Sequence, residues 1–114
     1  DWGVALSLHA EDAPRLPVAR EQHEILGTPS YLAPEVLEGD GRRLGVWTDV
    51  FLLGGLLHEI VTGRPPHRGE TMMAVVHDIL DRDPRIDDVR CPGLASIANR
   101  AMQRDPTLRH PNVE

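Results

Sequence analysis

The chain has 114 residues, enough for one domain with a useful core and too few for two. Apolar residues make up 40% and charged residues 26%, the balance of a globular domain. A formal net charge of −6 argues against a general nucleic-acid binder, which needs a basic face.

In chain order, Val4-Ala5-Leu6-Ser7-Leu8 alternates loosely and predicts a short strand near 4–8. Residues 9–24 are polar, carry Pro14 and Pro17, and read as an exposed loop. Pro34 suits the first turn of a short helix through Val36 and Leu37, because its missing N–H is not needed there. Gly39-Asp40-Gly41 ends that turn. The strongest helix covers 46–62. Trp47, Val50, Phe51, Leu53, Leu57, Ile60 and Val61 surround most of its circumference, which predicts a helix in the middle of a core. Thr48 or Asp49 is the expected cap, and Gly63 with Pro65-Pro66 is the stop. Met72, Val75, Val76, Ile79 and Leu80 predict a one-faced helix over about 70–80. Pro84 and Pro92 bracket a linker that carries Asp87 and Asp88. Leu94, Ile97, Ala98, Ala101 and Met102 give a third helix, ended before Asp105-Pro106, and the tail from Asn112 reads as the start of a fourth. No repeats or low-complexity tracts occur.

Several single features add limits. The longest apolar run, Val50 to Leu57, is far too short to span a bilayer and is broken by Gly54 and Gly55. No signal peptide is visible, and the first residue is not Met, so the natural N-terminus is expected to lie upstream. Cys91 is the single cysteine, so no internal disulfide forms, which favours a reducing compartment. The six His are scattered and read as surface or turn residues. All twelve basic residues are Arg; there is no Lys. A GC-rich genome is the bland explanation for that bias.

The segment Gly27-Thr28-Pro29-Ser30-Tyr31-Leu32-Ala33-Pro34-Glu35 resembles the pattern G-T-x-x-Y-x-A-P-E that closes the activation segment of protein kinases. Read without that resemblance, it is a turn followed by a helix start. Asp1-Trp2-Gly3 resembles the same family's Asp-Phe-Gly motif, with Trp in place of Phe. Asp49-Val50-Phe51-Leu52-Leu53-Gly54 resembles D-V-W-S-L-G. Leu57-His58-Glu59-Ile60-Val61-Thr62-Gly63-Arg64-Pro65-Pro66 resembles L-x-E-L-L-T-G-x-P-P, and Arg104-Asp105-Pro106-Thr107-Leu108-Arg109 resembles x-D-P-x-x-R. Order and spacing agree through nearly the whole chain. The chain is therefore identified as resembling the C-terminal lobe of a bacterial-type Ser/Thr protein kinase domain. Its expected fold is mainly α, the helical lobe of an α+β kinase-like fold, with 1–35 as activation segment and 36–114 as helical lobe.

The resemblance implies roles residue by residue. Asp1 would be the carboxylate that holds Mg²⁺, and through it ATP, since Mg²⁺ takes oxygen ligands and phosphates together. Thr28 would bond the catalytic-loop Asp and Lys. Gly27, Thr28, Pro29, Ser30, Tyr31 and Leu32 would form the substrate pocket, with Tyr31 and Leu32 as its apolar wall. Glu35 and Arg109 would form one buried ion pair, and Asp49 would anchor the catalytic loop. Thr28 and Ser30 are the candidate phosphate acceptors, because residues 8 to 27 contain no Ser or Thr. Protein substrates and ATP are the implied partners, not nucleic acid. The implied location is cytoplasmic, and a membrane anchor elsewhere in the parent protein is compatible with it.

Phosphoryl transfer also needs a glycine-rich loop, a phosphate-binding Lys with its Glu, and H-R-D-x-x-x-x-N. None of these occurs in the chain, so it is expected to be inactive alone. The competing reading is a pseudokinase-like scaffold, with helix 70–80 and the Pro-Pro-His-Arg-Gly turn as docking face. An unrelated helical domain would need the ordered set of matches to be accidental.

Overall fold

The computed structural model describes residues 28–87 and 90–113. The expected strand near 4–8, the loop 9–24, Asp1 and Gly27 lie outside the described residues. Three α-helices dominate: α1 (Val46–Thr62), α2 (Met72–Asp81) and α3 (Pro92–Ala101). Short 3-10 turns at Pro29–Tyr31, Pro34–Glu38, Gly41–Arg43 and Pro106–Leu108 join them. No strand occurs among the described residues.

Proline opens many of these elements. Pro29, Pro34, Pro92 and Pro106 each sit in the first turn. The ring presets φ, and the lost N–H would have had no partner there. Pro92, read from the sequence as the end of the linker, is also the first residue of α3. The start of α1 also differs from expectation. Its N-cap is Gly45, and Thr48 lies one turn in, where its Oγ1 accepts the Gly45 N–H at 3.2 Å. Neither Thr48 nor Asp49 is the cap itself. α2 is capped by Thr71, whose Oγ1 accepts the Ala74 N–H at 3.2 Å. α1 ends on Gly63 at φ 73°, where only a residue without Cβ avoids strain.

The core is built on α1 and α3, which pack on each other more extensively than any other pair. Phe51 of α1 is fully buried with Ala33, Ile86, Ala95, Ala98 and Met102. The contact is close because small residues face each other. A Cβ added to Gly54 would stand 2.8 Å from the Ala101 Cβ and 2.9 Å from the Met102 Cγ. α3 therefore turns Ala95, Ala98 and Ala101 inward and leaves Leu94 and Ile97 exposed. A second cluster of Leu32, Val75 and Ile79 lies between the Pro34–Glu38 turn and α2. The extended segment before α3 is held at Asp83 by Arg104, at 2.9 Å, and at Ile86 by Asn99. Asn99 accepts the Ile86 N–H at 2.7 Å and donates to the Ile86 carbonyl at 2.8 Å, as a neighbouring strand would.

Among the described residues, α1 is packed on one side. Val50, Phe51, Gly54, Gly55 and His58 are buried, whereas Leu53, Leu56 and Ile60 are exposed, Ile60 at 78%. Asn112 is not helical. No helix among the described residues is long and apolar enough to cross a membrane.

Candidate functional site

The segment Thr28–Leu32 is a single tight turn. Its internal bonds run from Tyr31 N–H to the Thr28 carbonyl at 3.1 Å and from Leu32 N–H to the Pro29 carbonyl at 3.2 Å. Thr28 is exposed and Ser30 half-buried. Three attachments fix the turn to the helices. The Ser30 carbonyl accepts the His67 N–H at 3.1 Å. The Tyr31 hydroxyl donates to Glu59 Oε2 on α1, a hydrogen bond that raises the Tyr31 pKa. Leu32 is 2% exposed and fills the cluster against α2.

The Pro34–Glu38 turn follows at once and carries Glu35. Arg109 meets this carboxylate bidentately, with one terminal nitrogen 2.7 Å from Oε1 and the other 2.9 Å from Oε2. Both side chains are buried, at 3% and 0% exposure. Arg109 also donates to the carbonyls of Trp47 at 2.8 Å, Gln103 at 2.7 Å and Arg104 at 3.3 Å. All five guanidinium N–H groups therefore have acceptors. Thr48 Oγ1 donates to Glu35 Oε1 at 3.0 Å. A buried charge pair with every donor met is the arrangement in which desolvation is repaid. The guanidinium carbon also lies 4.9 Å from the Phe51 ring centroid.

The same Phe51 ring stacks on His67, with centroids 6.0 Å apart and planes 6° from parallel. His67 is wholly buried, and neither ring nitrogen has a hydrogen bond. Its nearest charge is Asp78 Oδ2, 3.5 Å from Nδ1. Burial pushes its pKa down to about 4, more than Asp78 pulls it up, so the ring is neutral. Of the two settings expected for the histidines, surface or turn, His67 has the turn but not the surface. His58, also buried, donates from Nδ1 to the Arg64 carbonyl at 2.9 Å and is likewise pushed down by burial.

Asp49 sits in the first turn of α1 at the surface. Partial burial of its carboxyl raises its pKa, and no hydrogen bond reaches it among the described residues. It lies one position from Thr48, which bonds Glu35. The structure thus joins Glu35 and Arg109 beside the start of α1 and ties Tyr31 to its later turns through Glu59, while no hydrogen bond joins Thr28 or Asp49 to α1 partners of the site among the described residues. Asp1 and Gly27 fall outside the described residues, so Asp1 is not placed against any of them. Among the described residues, no group of three or more His, Cys, Asp or Glu is arranged to hold a metal ion. Sequence reasoning missed Glu59, His67 and Thr48 as supports of the turn. Glu59 had a signal, since it is the acidic residue of the L-x-E motif. His67 had none beyond its place after Pro65-Pro66.

Comparison with known proteins places this geometry. The chain is 37% identical over its whole length to the serine/threonine-protein kinase PkaA of Streptomyces coelicolor, of which it spans 19%. It is 31% identical over 90 residues, 75% of the chain, to the serine/threonine-protein kinase PknB of Mycobacterium tuberculosis, spanning 14% of that protein. Over 94 residues, 80% of the chain, it is 32% identical to the probable serine/threonine protein kinase IRE of Arabidopsis thaliana, spanning 8% of it. The chain thus spans a fifth or less of the length of these relatives. The sequence profile of the protein kinase domain matches residues 1–110, and the chain belongs to that family.

Proposed function

We propose that this chain is the substrate-facing, helical part of a protein serine/threonine kinase that transfers the γ-phosphoryl group of ATP to Ser or Thr hydroxyls of proteins. The observation that carries the reading is the bidentate Glu35–Arg109 pair. It fixes the end of the Thr28–Leu32 turn to the helical lobe by two bonds of 2.7 and 2.9 Å. A rigid turn with an exposed Thr28 suits a surface that receives an extended peptide, because positioning carries much of the catalysis of phosphoryl transfer.

Within this reading, Gly27, Thr28, Pro29, Ser30, Tyr31 and Leu32 form the surface that receives the protein substrate. Thr28 bonds the catalytic machinery, and Asp49 steadies the catalytic loop. Thr28 and Ser30 are the acceptors for any regulatory phosphate in the turn. One carboxylate at Asp1 does not by itself make a magnesium site, and the chain offers no Lys for the phosphates. Handling of ATP and Mg²⁺ is therefore assigned to the complete domain, and these 114 residues alone to an inactive state. The full domain is placed in the cytoplasm.

The test is transfer from labelled ATP to pooled Ser and Thr peptides by the full-length protein. Thr28→Ala should abolish most transfer and Thr28→Ser should keep it. A full-length protein that binds nucleotide yet phosphorylates no peptide or protein would overturn the reading. A second reading has one observation in its favour. Met72 and Met73 are exposed at the start of α2, beside the Pro65–Gly69 turn, as in a scaffold that docks a partner there. It predicts partner binding that survives loss of transfer. A complete coding sequence lacking H-R-D-x-x-x-x-N would support it.

A further inference from the structure

The substrate-facing turn leans on the connection between α1 and α2, and one carboxylate organises that connection. Asp78 projects from α2, with 20% of its side chain exposed. Its Oδ2 accepts the Arg68 N–H at 3.0 Å. Arg82, one helical turn on, grips both carboxylate oxygens, from Nε to Oδ1 at 2.7 Å and from a terminal nitrogen to Oδ2 at 2.6 Å. That terminal nitrogen also donates to the Pro66 carbonyl at 2.6 Å. His67 Nδ1 stands 3.5 Å from Oδ2. Pro66 and Arg68 are thus each hydrogen-bonded by the Asp78–Arg82 pair, with His67 between them. The middle one donates its backbone N–H to the Ser30 carbonyl at 3.1 Å.

Charge pairs four apart on a helix are ordinarily solvated ornaments with little effect. This pair differs because it reaches off its helix to a backbone that supports the site. The hydrogen bonds from Arg82 hold the Asp78 pKa down to about 2, so the acceptor stays ionised through the working range. Between the two bonded residues, the His67 ring is fully buried and stacked on Phe51.

We propose that Asp78, with Arg82, is a positioning residue for the protein substrate: it sets the place of the His67 N–H and so the place of Ser30 in the substrate-facing turn. The proposal rests on the kinase reading and deepens it. It makes α2 a determinant of peptide affinity, although neither side chain needs to touch the peptide.

The experiment uses the full-length protein and compares Asp78→Ala, Asp78→Asn and Arg82→Met. Peptide KM, ATP KM and kcat are measured, together with amide exchange at His67. Asp78→Ala should raise peptide KM roughly five- to tenfold, the scale of one lost positioning hydrogen bond, and leave ATP KM within about twofold. Exchange at the His67 amide should quicken about tenfold or more. Asp78→Asn keeps an acceptor for Arg68 N–H and should fall between wild type and Asp78→Ala. An unchanged peptide KM would overturn the proposal. So would equal losses in peptide KM, ATP KM and kcat, which mark general destabilisation. Should Asp78→Ala not fold, Asp78→Asn and Arg82→Met decide by the same readouts. A wild-type protein that transfers nothing sinks the kinase reading, and exchange at His67 then decides the clasp by itself.

Discussion

Two carboxylate–arginine pairs hold the Thr28–Leu32 turn, and they work in opposite ways. Glu35 and Arg109 are 74 positions apart and almost completely buried, at 3% and 0% exposure. Asp78 and Arg82 are four apart and open to water, at 20% and 40%. The first pair closes the domain on itself, and its value depends on every bond being made. The second adds little energy as a pair. Its effect comes from where it puts the neighbouring backbone. A buried pair can therefore be judged by stability, whereas the surface pair is judged by geometry.

The sharpest way to break that contrast is Arg109→Ala. Glu35 would be left charged and dry, with Thr48 as its remaining partner, and the loss should be ~3–5 kcal/mol. Urea unfolding of the full-length protein measures it, and proteolysis should speed up in the segment before Glu35. Arg109→Lys should recover little of the loss, because an ammonium cannot span both carboxylate oxygens and three carbonyls. An intact stability would remove the pair from the fold's supports.

The next effect is acid sensitivity. His67 is lowered to about 4 in the folded chain from an ordinary 6.5. Between those values the unfolded chain binds the extra proton, so stability is full above about pH 6.5 and drains as pH falls toward 4. The loss from this residue is on the order of 3 kcal/mol by linkage from that shift. His58 is pushed in the same direction, so His67→Phe should flatten the slope without removing it. Asp78 adds a further decline lower down, between 3.8 and about 2. A flat stability between pH 6.5 and 4 in the wild type would contradict the burial of His67.

The smallest effect should be Arg82→Met, which keeps the stem and removes the charge. Its cost to unfolding free energy should be within about 1 kcal/mol, as for other partly exposed pairs. Chemical denaturation checks it. A loss matching Arg109→Ala would erase the distinction between the two pairs.

The long elements were readable because their signals are local. Glycine and proline bounded α1, and the Met72-to-Leu80 period announced α2 within two residues of its start. Glu35 and Arg109 were named through the kinase resemblance, since no periodicity joins residues so distant. The apolar residues of α3 announced the helix but did not say which of them face inward. Ala95, Ala98, Ala101 and Met102 are buried while the larger Leu94 and Ile97 are exposed, and Gly54 meets the helix closely at Ala101 and Met102. His67, Asp78 and Asn99 were invisible for a different reason. Each acts on backbone groups whose position depends on the path of a turn, and a sequence pattern does not carry that path. Asp1 and Gly27, with the segment near 4–8, fall outside the described residues.

Arg109 has one more consequence. Guanidinium protons on a protein surface trade with water too fast to give durable resonances. Here each of them is engaged by a carboxylate or a carbonyl, and the side chain has no measurable exposure. Its Nε–H signal should therefore persist in a nitrogen-correlated spectrum and fade when the lobe opens. The chain carries, at a single side chain, a spectroscopic gauge of whether its two distant ends are joined.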